Sequence, residues 1–141
     1  MSPYLEIEHT ADWALRVWAP TLAELFVDAA RGMYALLGVS PDAQVDPAAR
    51  VDDVHRRLEL SGSDSEMLLV AWLQELLYYD ESEGLVFGRF EIEALTSTRL
   101  VATLIGRLAA QPARVIKAVT YHNLAIRPTA DGLEATLVFD V

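Results

Sequence analysis

The 141-residue chain ends in Leu133-Glu134-Ala135-Thr136-Leu137-Val138-Phe139-Asp140-Val141. Leu133, Ala135, Leu137, Phe139 and Val141 alternate with Glu134, Thr136, Val138 and Asp140, the period-two pattern of a half-buried strand. Chain ends are usually polar and frayed, so an end patterned this way is expected to be built into a sheet. It then holds two anionic groups, the Asp140 side chain and the carboxylate of Val141, at one fixed spot. Hard cations are bound by oxygen donors of this kind.

Working back from this strand, Pro128-Thr129-Ala130-Asp131-Gly132 reads as a turn, and Val115 to Ile126 as one long strand before it. Leu85 to Leu95 and Thr98 to Leu108 read as neighbouring strands. The second is apolar on both faces, which predicts a central position. Val51 to Leu60 is a weaker strand with Val54, Leu58 and Leu60 inward. Near the start, Tyr4 to His9 and Trp13 to Ala19 also alternate. Two helices are predicted from their start signals. Thr21-Leu22-Ala23-Glu24 is a capping box, followed at helical spacing by Leu25, Phe26, Ala29, Met33 and Leu36, with Gly38 placed to end the helix. Ser63-Asp64-Ser65-Glu66 is a second box and opens a helix to about Tyr79. The order is roughly ββαβαββββ: an α+β fold, a mostly antiparallel mixed β-sheet layer packed with two amphipathic helices, in a single domain over residues 1–141.

Composition bounds the function. The chain is 52% hydrophobic and has no cysteine, which excludes disulfides and thiolate metal sites. No stretch reads as a signal peptide or membrane span, so a cytoplasmic protein without membrane contact is expected. The net charge of -10 argues against strong direct nucleic-acid binding, which rests on Lys and Arg neutralising phosphates. It suits a partner with a basic surface, or serves solubility alone.

Three segments carry the candidate chemistry: His9-Thr10-Ala11-Asp12 between two strands, Ile116-Lys117-Ala118-Val119-Thr120-Tyr121-His122 within one, and Phe139-Asp140-Val141. If Asp12 and Asp140 met, their repulsion would call for a cation or a nearby lysine. Lys117 is then a counter-ion or a phosphate contact reaching toward a partner. Each also has a plainer reading: Asp12 as a turn residue, Asp140 as a solvated strand residue, Lys117 as an edge charge that discourages aggregation. In an undistorted strand Lys117 shares a face with Tyr121, a supporting candidate, and opposes His122. His9 and His122 share faces with apolar residues and read as structural, His55 as exposed. Glu66 is accounted for by its capping box and Glu75 by the polar side of its helix.

Taken together, the three segments, the stretch Thr21 to Gly32 and the run Trp72-Leu73-Gln74-Glu75-Leu76-Leu77-Tyr78 resemble the archease family over essentially the whole chain. The resemblance implies a divalent metal site with Asp12, Asp140 and an oxygen of Val141 as ligands. Its ion is Ca²⁺ first, with Mg²⁺ or Mn²⁺ as alternatives, since oxygen-only ligation disfavours soft metals. It also implies an accessory role for an RtcB-type RNA ligase in tRNA splicing and RNA repair. There the protein promotes guanylylation of the ligase histidine and repeated turnover, with Lys117 and the two aspartates implicated. On that reading the chain is an activator, not a catalyst. A stand-alone metal-dependent phosphoester hydrolase and a chaperone-like module with a structural metal are the alternatives. No general base or nucleotide-binding motif supports the hydrolase. Removing Asp140 and Val141 is expected to abolish metal binding and leave the fold largely intact.

Overall fold

The computed structural model describes residues 3–8, 12–39, 53–109, 112 and 115–141. The chain forms β1 (Tyr4–Glu8), β2 (Asp12–Ala19), α1 (Leu22–Leu37), β3 (Val54–Ser61), α2 (Ser65–Glu83), β4 (Leu85–Leu95), β5 (Arg99–Leu108), β6 (Ala118–Thr120), β7 (Arg127–Thr129) and β8 (Gly132–Asp140). The class is α+β, as expected; among the described residues every strand pair is antiparallel where a mostly antiparallel mixed layer was expected, and the strands form two sheets instead of one layer. One runs β1-β2-β8-β6 with β7 also on β8; the other runs β3-β5-β4. β5 is central and buried along both faces, which explains why its sequence is apolar without alternation.

The two helices are held against both sheets. α1 packs on β1, β2, β8 and β4, and α2 on β3, β4, β5 and β6. α1 starts where its sequence says: the Glu24 N–H donates to Thr21 Oγ1 at 3.2 Å, and Gly38 closes the helix at φ 76. α2 differs. Its N-cap is Asp64, not Ser63, with the Met67 N–H donating to Asp64 Oδ1 at 2.8 Å. The helix runs past Tyr79 to Glu83 because the left-handed stop is Gly84 at φ 67, and because the Tyr79 ring packs edge-on to Phe87 at 5.4 Å.

The core fills the space between these layers. Trp72 is fully buried, its Nε1 donates to the Phe26 carbonyl at 2.9 Å, and Phe90 sits edge-on to it at 5.6 Å. The Tyr34 hydroxyl accepts from the Phe87 N–H at 3.2 Å and ties α1 to β4. Each large side chain buried in this way contributes about 1.5–3 kcal/mol. Trp13 and Trp18 are half-buried. Gly32 lets α1 approach the first sheet closely, since a Cβ there would lie 2.6 Å from Leu15 Cδ2.

The expected long strand from Val115 to Ile126 is broken. Of it only Ala118–Thr120 is strand, as β6; β7 begins beyond Ile126 and takes Pro128 and Thr129 out of the expected turn, and the two pair one after the other along β8. From Thr120 to Arg127 the chain takes 127 − 120 = 7 steps, against 138 − 134 = 4 for their partners Val138 and Glu134, so three residues must leave the ladder. They do so in a turn where Asn123 adopts φ 58 and the Leu124 N–H donates to the Tyr121 carbonyl at 3.1 Å. Asparagine is among the few residues that accept this left-handed geometry.

Candidate functional site

β8 is the strand on which the candidate site is built. Its last residue, Asp140, lies between two neighbours: Asp12, the first residue of β2, and Ala118, the first residue of β6. Just before β6, the Lys117 N–H donates to the Asp140 carbonyl at 2.7 Å. Val141 follows at once, half-buried and packed on the core. Three segments far apart in sequence therefore end at one corner of one sheet.

Asp140 is exposed, as parity predicts for a residue opposite in phase to the buried Leu137 and Phe139, and Lys117, just before β6, is exposed although it shares parity with the buried Val119. The Asp12 side chain and His9-Thr10-Ala11 lie outside the described residues. Among the described residues no group of three or more His, Asp or Glu gathers for a metal. The described share of the expected ligand set is thus Asp140 and Val141, with the Asp12 backbone as register partner. This register sets two aspartates directly opposite, an arrangement that disfavours strand pairing unless a cation offsets it. The donors are hard oxygens without sulfur or imidazole, and that chemistry fits a calcium-like ion. Removing Asp140 and Val141 would take away the acceptor for Lys117 as well as two register pairs. A side-chain substitution is the cleaner probe.

Tyr121 and His122 do not stand where an unbroken strand would put them. β6 ends at Thr120, so alternation neither joins Lys117 to Tyr121 nor separates it from His122. His122 is exposed in the turn, not in the core: within β6 the buried residue is Val119, of opposite parity to His122, and the turn at Asn123 breaks the alternation before the buried Leu124. His55 is exposed as expected. The Tyr121 hydroxyl donates to Asp64 Oδ2 at 3.3 Å, and the Asp64 charge pushes the Tyr121 hydroxyl above its ordinary range.

Sequence reasoning missed Asp64 and Glu66 as parts of this neighbourhood. Glu66 does not close a capping box; its Oε2 accepts from the Ile126 N–H at 3.0 Å. With Asp64 on Tyr121, and Gln74 Nε2 donating to the Val119 carbonyl at 3.5 Å, the start and middle of α2 fasten the segment after Lys117. A capping-box pattern conceals this role, because the residue types are identical whether the partner is local or sixty residues away.

Residues 4–141 match the Archease protein family. The chain belongs to the archease family. The archease of Methanopyrus kandleri is 37% identical over 99% of both chains, and that of Methanosarcina barkeri is 34% identical over 98% of this chain and 95% of its own length. The solution structure of Methanobacterium thermoautotrophicum protein 1598 superposes with a TM-score of 0.72 at 26% identity, covering all of both chains. The crystal structure of a Thermotoga maritima archease, described as a possible chaperone, shares the fold with a TM-score of 0.68 at 23% identity, over 96% of this chain and 94% of that one. The archease frame thus spans the described elements from β1 to β8.

Proposed function

We propose that the protein is a metal-binding activator of an RtcB-type RNA ligase, acting in tRNA splicing and RNA repair without being a catalyst itself. The observation that carries this reading is the shared corner: Asp140 paired with Asp12 across β2 and β8, with the Lys117 N–H on the Asp140 carbonyl. Asp12, Asp140 and an oxygen of Val141 would hold a divalent ion, Ca²⁺ first. A bound ion there supplies fixed positive charge beside the carboxylates. Lys117 is exposed at the rim and presents a single ammonium group, suited to a phosphate or carboxylate of the partner. The net charge of -10 favours encounter with a basic surface over nucleic acid.

The test is to mix the protein with an RtcB-type ligase, GTP and Mn²⁺, and to follow guanylylated ligase and ligated RNA over several turnovers. Faster guanylylation that is lost in Lys117→Ala and Asp140→Ala supports the proposal. Unchanged guanylylation, or full activation by both variants, overturns it. Thermotoga maritima archease being described as a possible chaperone favours one second reading, a binding module whose metal is purely structural. In that case Asp140→Asn would abolish calcium-dependent stabilisation and leave activation of the ligase intact.

A further inference from the structure

The second sheet carries a groove that the ligase-activating reading does not use. It has a volume of about 450 Å³ and is lined by Arg31 of α1, Arg89 and Phe90 of β4, Arg107 of β5 and the nearby Asp53. Three arginines against one aspartate make its lining +2, in a chain whose net charge is -10. None of these residues belongs to β2, β6 or β8.

The arginines are held loosely enough to take another partner. Arg31 meets Asp28 at 3.9 Å and Arg89 meets Glu91 at 3.8 Å, both beyond hydrogen-bonding distance, and the two arginine side chains are 57% and 72% exposed. By contrast Arg16, Arg56 and Arg57 reach their glutamates at 2.7, 2.9 and 2.8 Å. Arg107 is anchored through Nε to Asp53 Oδ1 at 2.7 Å. The backbone around them is shaped by a bulge: Phe87 pairs with Gly106 and Arg89 with Ile105, which leaves Gly88 as the extra residue. Gly88 and Gly106 both line the groove, and a Cβ on Gly106 would lie 2.3 Å from the Val86 carbonyl oxygen. Bulges re-aim side chains and recur beside binding sites.

A second space of about 390 Å³ adjoins the first at Arg31 and Phe90, and is lined further by Glu24, Val27, Asp28 and Ile92. One end of the combined trough is cationic; the other sets Val27, Phe90 and Ile92 beside the carboxylates of Glu24 and Asp28. Arginine forks match phosphate oxygens bidentately. Aromatic and aliphatic side chains take the flat face of a base. The volume falls within the range of small-ligand sites.

We propose that this trough binds a small phosphate ester with a planar organic group, of the mononucleotide class. Its phosphate sits on Arg31, Arg89 and Arg107, and its base lies toward Phe90, Val27 and Ile92. Titration of the whole protein by calorimetry with GMP, guanosine and inorganic phosphate tests this. GMP is expected to bind with a dissociation constant below about 1 mM, and guanosine and phosphate at least about tenfold more weakly. The double variant Arg31→Gln, Arg89→Gln should fold normally, since both side chains are exposed, and lose about tenfold or more in GMP affinity. No saturable GMP binding, equal binding of phosphate alone, or native-like affinity in the double variant would each overturn the proposal. The assay uses neither the ligase nor calcium, so its failure and that of the proposed function are distinguishable.

Discussion

The Lys117 N–H donates to the carbonyl oxygen of Asp140 at 2.7 Å, which joins the two residues by backbone and leaves both side chains exposed. The separation matters for every experiment on this corner. Substituting either side chain removes charge without removing the bond that sets the register.

Lys117→Ala is therefore expected to fold normally, with stability within about 0.5 kcal/mol of the native protein. Guanylylation of an RtcB-type ligase should fall by at least about tenfold, corresponding to about 1.4 kcal/mol. Lys117→Pro deletes the N–H and should lower the melting temperature as well. Comparing the two by thermal melts and by guanylylation rate separates the ammonium group from the backbone bond.

For Asp140→Ala the expected outcome concerns calcium. At a free concentration a hundred times the dissociation constant, a ligand that binds only the folded state stabilises it by about 2.7 kcal/mol. The native protein should show a calcium-dependent rise in melting temperature that EDTA reverses. Asp140→Ala should show none, with little change in its metal-free stability because the side chain is exposed. A calcium response equal to the native one would remove Asp140 from the ligand set.

The fastening of the 121–126 turn by α2 gives a prediction about position instead of charge. Asp64→Ala loses both the N-cap to Met67 and the contact with the Tyr121 hydroxyl, and should cost about 1–2 kcal/mol. Glu66→Ala leaves the Ile126 N–H without its acceptor at modest cost to the whole fold, about 1 kcal/mol. Amide exchange in residues 121–126 should accelerate in Glu66→Ala while the core strand β5 stays protected. Unchanged exchange in the turn would refute the fastening role.

Tyr34 sets a limit at high pH. Burial pushes its hydroxyl well above the ordinary value of 10, so the folded protein keeps this proton where the unfolded chain loses it. The contribution is fully present below about pH 10 and is lost as pH rises beyond it, by up to about 1.4 kcal/mol per pH unit. Urea melts at pH 8 and pH 11 should show this fall. In Tyr34→Phe it should be smaller, at the cost of about 1 kcal/mol at neutral pH for the lost acceptor of the Phe87 N–H.

Much of this protein is legible from local pattern. Period-two alternation in Leu133–Val141 puts Asp140 on the solvent side, apolar residues on both faces of β5 identify a central strand, and Thr21 and Gly38 mark the ends of α1. These signals are local because backbone geometry repeats every two or 3.6 residues and caps act within one turn. What alternation could not reveal is the break at Tyr121, because no residue before Asn123 announces that three residues will leave the ladder. Nor could it reveal that Asp64 and Glu66 serve a segment about sixty residues away, or that the strands divide into two sheets. Strand pairing is a long-range choice made by burial of the whole apolar surface. Only that choice set Asp12 opposite Asp140 and brought the Lys117 N–H to the Asp140 carbonyl.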